Sequence, residues 1–142
     1  MNIEFNKCVE RRSLVKWEAS SDIIKAEIKT AEYDLERAKR SLHEGDPKWA
    51  IVQAYYSIFH SAKALVYLKG YKERSHYCLL VAFRHLYCDS GNMDPDLSDK
   101  FETVLLMREE ADYDMKFSED ASESAIKCAS EFLIAAKSVL NI

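Results

Sequence analysis

The chain has 142 residues, 48% of them apolar and sixteen of them Phe, Tyr or Trp, with a formal charge of −4 from 24 acidic against 20 basic side chains. That length fits one domain with a sizeable core, and the acidic balance excludes a generic DNA-coating protein, which needs a broad basic footprint. Three Gly and two Pro punctuate so sparsely that long helices are expected rather than short strands and turns.

Residues 1–20 read as an N-terminal arm, a short helix or an irregular segment carrying the charged run Glu10-Arg11-Arg12. No basic start followed by an apolar stretch opens this segment, and no run approaches the roughly 18 apolar residues of a membrane span, so a cytoplasmic location without membrane association is expected. Cys8, Cys78, Cys88 and Cys128 lack CxxC spacing and read as reduced core residues.

Residues 21–142 read as one all-α domain, an up-and-down bundle of four core helices plus one additional helix. Ile24, Ile28, Ala31, Leu35, Ala38 and Leu42 recur at steps of four and three, one apolar stripe of a helix capped by Ser21 and closed at Gly45. Asp46-Pro47 opens a second helix, since proline at the first helical position loses no hydrogen bond. From Trp49 to Leu68 it is apolar around most of its circumference. Such a helix is central, or contacts another subunit as well as its own bundle.

Gly70 ends that helix, and Tyr71–His76 reads as a polar connection. A third helix over about Ser75–Asp89 offers Leu79, Leu80, Phe83 and Leu86 to the core. Asp94-Pro95 repeats the start signal for a fourth helix through about Ala111, with Leu97, Phe101, Val104 and Leu105 inward. Ser118 caps the last helix, to about Leu140, with an inner stripe of Ala121, Ala125, Cys128, Phe132, Ala135 and Val139.

Three stretches carry a resemblance. They are Ala54-Tyr55-Tyr56-Ser57-Ile58-Phe59-His60-Ser61-Ala62-Lys63-Ala64-Leu65 on the central helix, Gly70-Tyr71-Lys72-Glu73-Arg74-Ser75-His76 after it, and Arg108-Glu109-Glu110-Ala111-Asp112-Tyr113 followed by Phe117-Ser118-Glu119. In this order, over residues 21–140, the chain resembles the HEPN family (higher eukaryotes and prokaryotes nucleotide-binding). The resemblance implies a bundle that homodimerises, a small nucleotidyltransferase as partner in a toxin–antitoxin-like system, and a nucleotide or RNA as ligand. It implies no cofactor. In many members it implies an endoribonuclease that uses an Arg, four to six residues, then a His near the last helix. Here no His follows Arg108, so a noncatalytic module is expected, with two alternatives: a metal-independent endoribonuclease using Arg108 with a substitute His, or a purely structural homodimerisation module. Arg37 and His43 have the spacing, but six residues advance a helix by about 600° and aim the two side chains at different faces.

Arg108 continues the line of Leu97, Phe101 and Val104, with Asp112 one turn on. Two readings stay open for it: an ion pair joining the last two helices with Tyr113 packed beside it, or a guanidinium that contacts a phosphate while Tyr113 meets a base or ribose. Ser57 and His60, with Gln53, form a polar line on an otherwise apolar helix. They are either hydrogen-bonded core groups or, for His60, part of a ligand cleft shared with Arg108. Lys72, Arg74 and His76 gather beside a helix start, where backbone N–H groups favour anions, or are a solvated connection with Ser75 as a cap. Should RNA be cleaved, Arg108 would stabilise the phosphate, with His60 or His76 as general acid or base. Cys78, His85 and Cys88 share a helix side but lack a fourth ligand, so no metal is expected.

Overall fold

The computed structural model describes residues 2–142. It runs α1 (Ile3–Glu10), β1 (Leu14–Lys16), α2 (Ser21–His43), α3 (Pro47–Leu68), β2 (Tyr71–Glu73), α4 (His76–Phe83), a π-helical turn (Arg84–Cys88), α5 (Asp96–Tyr113) and α6 (Glu119–Leu140). The all-helical bundle expected from the sequence is present. Its axis is α3, which packs against α2, α4, α5, α6 and β2. That position accounts for its apolar circumference without a second subunit. Its large exposed apolar side chains, Trp49 and Leu68, stand at its two ends.

The starts follow the sequence signals closely. Asp46 Oδ1 accepts from Trp49 N at 3.3 Å ahead of Pro47, Ser75 Oγ from Cys78 N at 3.1 Å, and Ser118 Oγ from Ala121 N at 3.0 Å. Each side chain satisfies an otherwise orphaned donor of a first turn. The cap of α2 is Ser20 rather than Ser21, shifted by one residue. Ile28, Ala31, Leu35 and Ala38 of α2 are buried. Small residues let α2 and α3 approach closely, and buried Ser57 donates from Oγ to the Ala31 carbonyl at 2.8 Å.

Phe83, Phe101 and Phe132 meet at the centre, with ring centres 4.9–6.3 Å apart. The inner face of α6 is rotated from the expected stripe. Ser122, Ala125, Ala129, Phe132, Leu133 and Ala136 are buried, whereas Val139 is exposed. The helix packs against α2, α3 and α5 together, and the burial follows that composite surface. The third expected helix becomes α4 plus the π turn, where Asp89 N reaches Arg84 O at 2.8 Å. The turn buries Tyr87, whose hydroxyl donates to the Leu65 carbonyl at 2.5 Å.

The arm is ordered. Strands β1 and β2 pair antiparallel, with Leu14 opposite Glu73, Val15 opposite Lys72 and Lys16 opposite Tyr71, so the expected polar connection is a strand. Phe5 of α1 packs edge-on to Tyr71 with ring centres 5.4 Å apart, and Tyr77 donates to Glu4. The expectation of four reduced cysteines is overturned: Cys8 of α1 and Cys78 of α4 form a disulfide, while Cys88 and Cys128 are free. The docking of α1 on α4 brings the two Cα atoms, 70 residues apart in sequence, to 5.8 Å.

Candidate functional site

Arg108 is carried inward by the buried line Leu97, Phe101 and Val104 on α5. Its side chain is 13% exposed. The guanidinium lies 5.0 Å from the Tyr55 ring centre and donates from Nη1 to the Tyr56 hydroxyl at 3.3 Å. Its Nε is buried without a hydrogen-bond partner, and the nearest carboxylate oxygen, Asp112 Oδ2, is 4.0 Å away. Asp112 is one turn along the same helix, so the pair does not join the last two helices. Tyr113, 75% exposed, does not pack beside it.

His76, the first residue of α4, closes the other side. Its Nδ1 shares a 2.6 Å hydrogen bond with the Tyr55 hydroxyl, and its ring stacks on Phe59 with centres 4.4 Å apart. Burial, then the positive charges of Arg108 and Lys63, hold its pKa below the ordinary value, so the imidazole is neutral over a wider pH range. Burial likewise raises the Tyr55 phenol, and both partners of the short bond stay uncharged near neutral pH. Arg108, Tyr55, Tyr56, Phe59 and His76 thus form one cluster: a cation and a neutral imidazole set among aromatic rings. That set can hold an anion on the guanidinium and a planar group against the rings.

His60 lies next to this cluster but is engaged elsewhere. Its Nδ1 donates to Glu27 Oε2 at 2.6 Å, its Nε2 is 3.9 Å from Asp34 Oδ2, and Lys63 Nζ is 3.4 Å from Glu27 Oε1. Burial alone would raise the Glu27 pKa, but His60 and Lys63 bring it below the ordinary value. Tyr56 stands between the two groups, its ring centre 6.4 Å from that of His60. Ser57 is wholly buried on the Ala31 carbonyl.

The trio Lys72, Arg74 and His76 is divided. Alternation along β2 turns Lys72 away from the bundle, its Nζ 4.7 Å over the Trp17 ring, and Arg74 is also exposed. Only His76 joins Arg108. Cys78 is taken by Cys8, and His85 packs on Phe5 with ring centres 4.4 Å apart. Among the described residues, no group of three or more His, Cys, Asp or Glu is placed to hold a metal ion. No helix among them is long and apolar enough to cross a membrane.

Sequence reasoning missed the aromatic walls, because Tyr55, Tyr56 and Phe59 count as packing residues on an apolar helix. It also missed Glu27 and Asp34. Their seven-residue spacing beside the stripe of α2 was the available signal, as it sets them two turns apart on one face. Glu73 is a third omission: its Oε1 is buried without a partner, and burial raises its pKa.

The fold and this cluster define a small helical-bundle domain built round one apolar helix, with an arginine seated among aromatic rings at its flank. The HEPN domain family model matches residues 24–139, and the chain belongs to that family. It is 31% identical over 119 residues to a Methanocaldococcus jannaschii protein named a "putative toxin", covering 83% of this chain and 89% of that one. A UPF0332 protein of Archaeoglobus fulgidus is 29% identical over 122 residues, 84% and 97% of the two chains. A UPF0332 protein of Pyrococcus horikoshii is 38% identical over 68 residues, and that match spans 48% of each chain.

Proposed function

We propose that this chain is a noncatalytic HEPN module that binds a nucleotide or RNA through Arg108, acting in the cytoplasm in a toxin–antitoxin-like system. The observation that carries the reading is the Arg108 side chain, nearly buried yet with Nε left without a partner. A buried donor without an acceptor costs free energy, which leaves the cation under-compensated, and a phosphate oxygen would meet the guanidinium over the small part of the side chain that is exposed. Tyr56 and the His76 edge supply neighbouring polar contacts, with Asp112 and exposed Tyr113 at the rim for a ribose or base. Family membership and the name of the Methanocaldococcus relative support the toxin–antitoxin setting. The same reading includes a homodimer, a small nucleotidyltransferase as partner, and a functional bundle of residues 21–142 to which the arm of residues 1–20 is appended.

Titration of the purified protein with labelled nucleotides and short RNAs at fixed salt tests the ligand. Binding by wild type and a loss of tenfold or more in Arg108→Ala are expected, since charge-assisted hydrogen bonds contribute about 1.5–3 kcal/mol. No binding at millimolar ligand refutes the reading. Co-purification with a nucleotidyltransferase encoded nearby tests the partner, and sedimentation at several concentrations tests the dimer.

A second reading, a metal-independent endoribonuclease, is favoured by one observation: His76 is held neutral beside Arg108. There the 2′-oxygen would attack the adjacent phosphorus and displace the 5′-oxygen, with His76 taking the 2′-hydroxyl proton and passing it to the departing 5′-oxygen. His60, hydrogen-bonded to Glu27, fits that role less well. Cleavage abolished by both Arg108→Ala and His76→Gln supports this reading. Cleavage that survives both substitutions rejects it.

A further inference from the structure

The two strands of the arm's ladder turn one face to the bundle and the other to solvent. Cross-strand partners in an antiparallel pair share a face. The register therefore puts Leu14, Lys16, Tyr71 and Glu73 on the inner face, where Leu14 is buried while Lys16, at the strand end, reaches solvent at the edge. Val15 and Lys72 face outward. The outer face extends at one end to Trp17, whose N–H donates to the Gly70 carbonyl at 2.9 Å, and at the other to Arg74, whose N–H donates to the Ser13 carbonyl at 2.8 Å. Tyr67 braces Trp17 edge-on, ring centres 4.8 Å apart, and Lys72 Nζ lies over the indole.

Charge collects along the two strands and their flanks. Arg11, Arg12, Lys16, Lys69, Lys72 and Arg74 are all exposed, and among the described residues none of the six is within ion-pair distance of a carboxylate. The stretches 11–16 and 69–74 contain one acid, Glu73, which faces inward, so they carry +5 in a chain of net charge −4. Six unpaired like charges repel one another, and a bound polyanion relieves that repulsion. Beside Trp17 opens a cleft of about 640 Å³ whose walls include Lys16, Glu18, Ile24, Tyr67, Leu68 and Lys69.

We infer that this outer face binds a single-stranded RNA, its phosphates on Arg12, Lys72 and Arg74 and a base in the cleft against Trp17. Repeated negative charge alone would suit an acidic peptide equally. The aromatic wall within a field of cations favours a polymer that alternates phosphates with planar rings. No residue of the Arg108 cluster belongs to this surface. The inference rests on the proposed function only for the choice of RNA as the polymer.

Anisotropy of a labelled oligouridine, measured over a series of salt concentrations, tests it. Each phosphate contact on a single strand contributes about 0.7 to the slope of log affinity against log salt. The variant carrying Arg12→Gln, Lys72→Gln and Arg74→Gln should lower that slope by about 2, with an unchanged melting curve showing that it folds. In a Trp49→Phe background, where Trp17 is the one tryptophan left, oligouridine should quench the indole emission. An unchanged slope and an unquenched indole overturn the inference. Binding abolished by Arg108→Ala but untouched by the triple variant also overturns it and leaves the proposed function standing; the reverse pattern keeps this surface and rejects the Arg108 reading. Polyglutamate bound as tightly as oligouridine overturns the assignment to RNA.

Discussion

Replacing Cys8 and Cys78 together with alanine removes the bond that ties α1 to α4 and opens a loop spanning 70 positions of sequence. In the chain-entropy account a loop of that length corresponds to about 4 kcal/mol at 25 °C. For a chain of this size each kcal/mol moves the melting temperature by about 2–4 °C, so a drop on the order of 10 °C is expected. The small cavity left by the two sulfurs adds to it. Both cysteines are buried, at 3% and 4% exposure, so thiol reductants should reach the bond slowly in the folded protein and quickly in urea. Urea unfolding of the wild type with and without reductant, beside the double variant, measures the effect. Alkylation of the denatured protein followed by mass spectrometry should count two reactive thiols before reduction, from Cys88 and Cys128, and four after it. Four thiols without reductant, or coincident unfolding midpoints, would refute the reasoning.

Two ionisable groups near the site should make stability depend on pH in opposite senses. His76 has a folded pKa below its ordinary 6.5, so the unfolded chain binds the proton first and stability falls as pH drops below about 6.5; His76→Gln should flatten that limb of a melting-temperature profile. Glu73 has a folded pKa above its ordinary 4.5, so ionisation in the folded state costs stability as pH rises through that region. Glu73→Gln should therefore gain more at pH 7.5 than at pH 4.5, and an equal gain at both would reject the assignment. Phe132→Ala empties the meeting point of Phe83 and Phe101 and should cost about 3–5 kcal/mol by denaturant unfolding. Gly70 ends α3 at φ +87°, and Gly70→Ala should cost about 1 kcal/mol while leaving the helical circular dichroism unchanged.

The long helices were legible because each signal was local. The stripe of α2, the Asp46-Pro47 start and the cap at Ser118 depend on residues within a few turns of one another. The ladder was not, since three-residue strands such as Leu14–Lys16 are too short to display an alternating pattern. The disulfide was hidden for a different reason: only the docking of α1 on α4 makes Cys8 and Cys78 neighbours. The rotated face of α6 reflects a surface assembled from three other helices, which no single periodicity encodes. At the site, Arg108 announced itself as a charge at the end of an apolar line. Its surroundings did not, because a tyrosine that walls a ligand site and a tyrosine that fills a core have the same pattern in sequence. The division of Lys72 and Arg74 from His76 followed from a change of element, because β2 ends at Glu73 and His76 opens α4.

The pairing of β1 with β2 also imposes an order of events on the ribosome. Val15 must wait for Lys72, a delay of roughly 3–11 s at ordinary elongation rates of about 5–20 residues per second. The intervening chain is the α2–α3 hairpin, whose contacts are close in sequence and fast to form. The hairpin can therefore close while the first twenty residues are still unattached, and the arm can clasp it before α5 and α6, which follow later in the chain, complete the bundle.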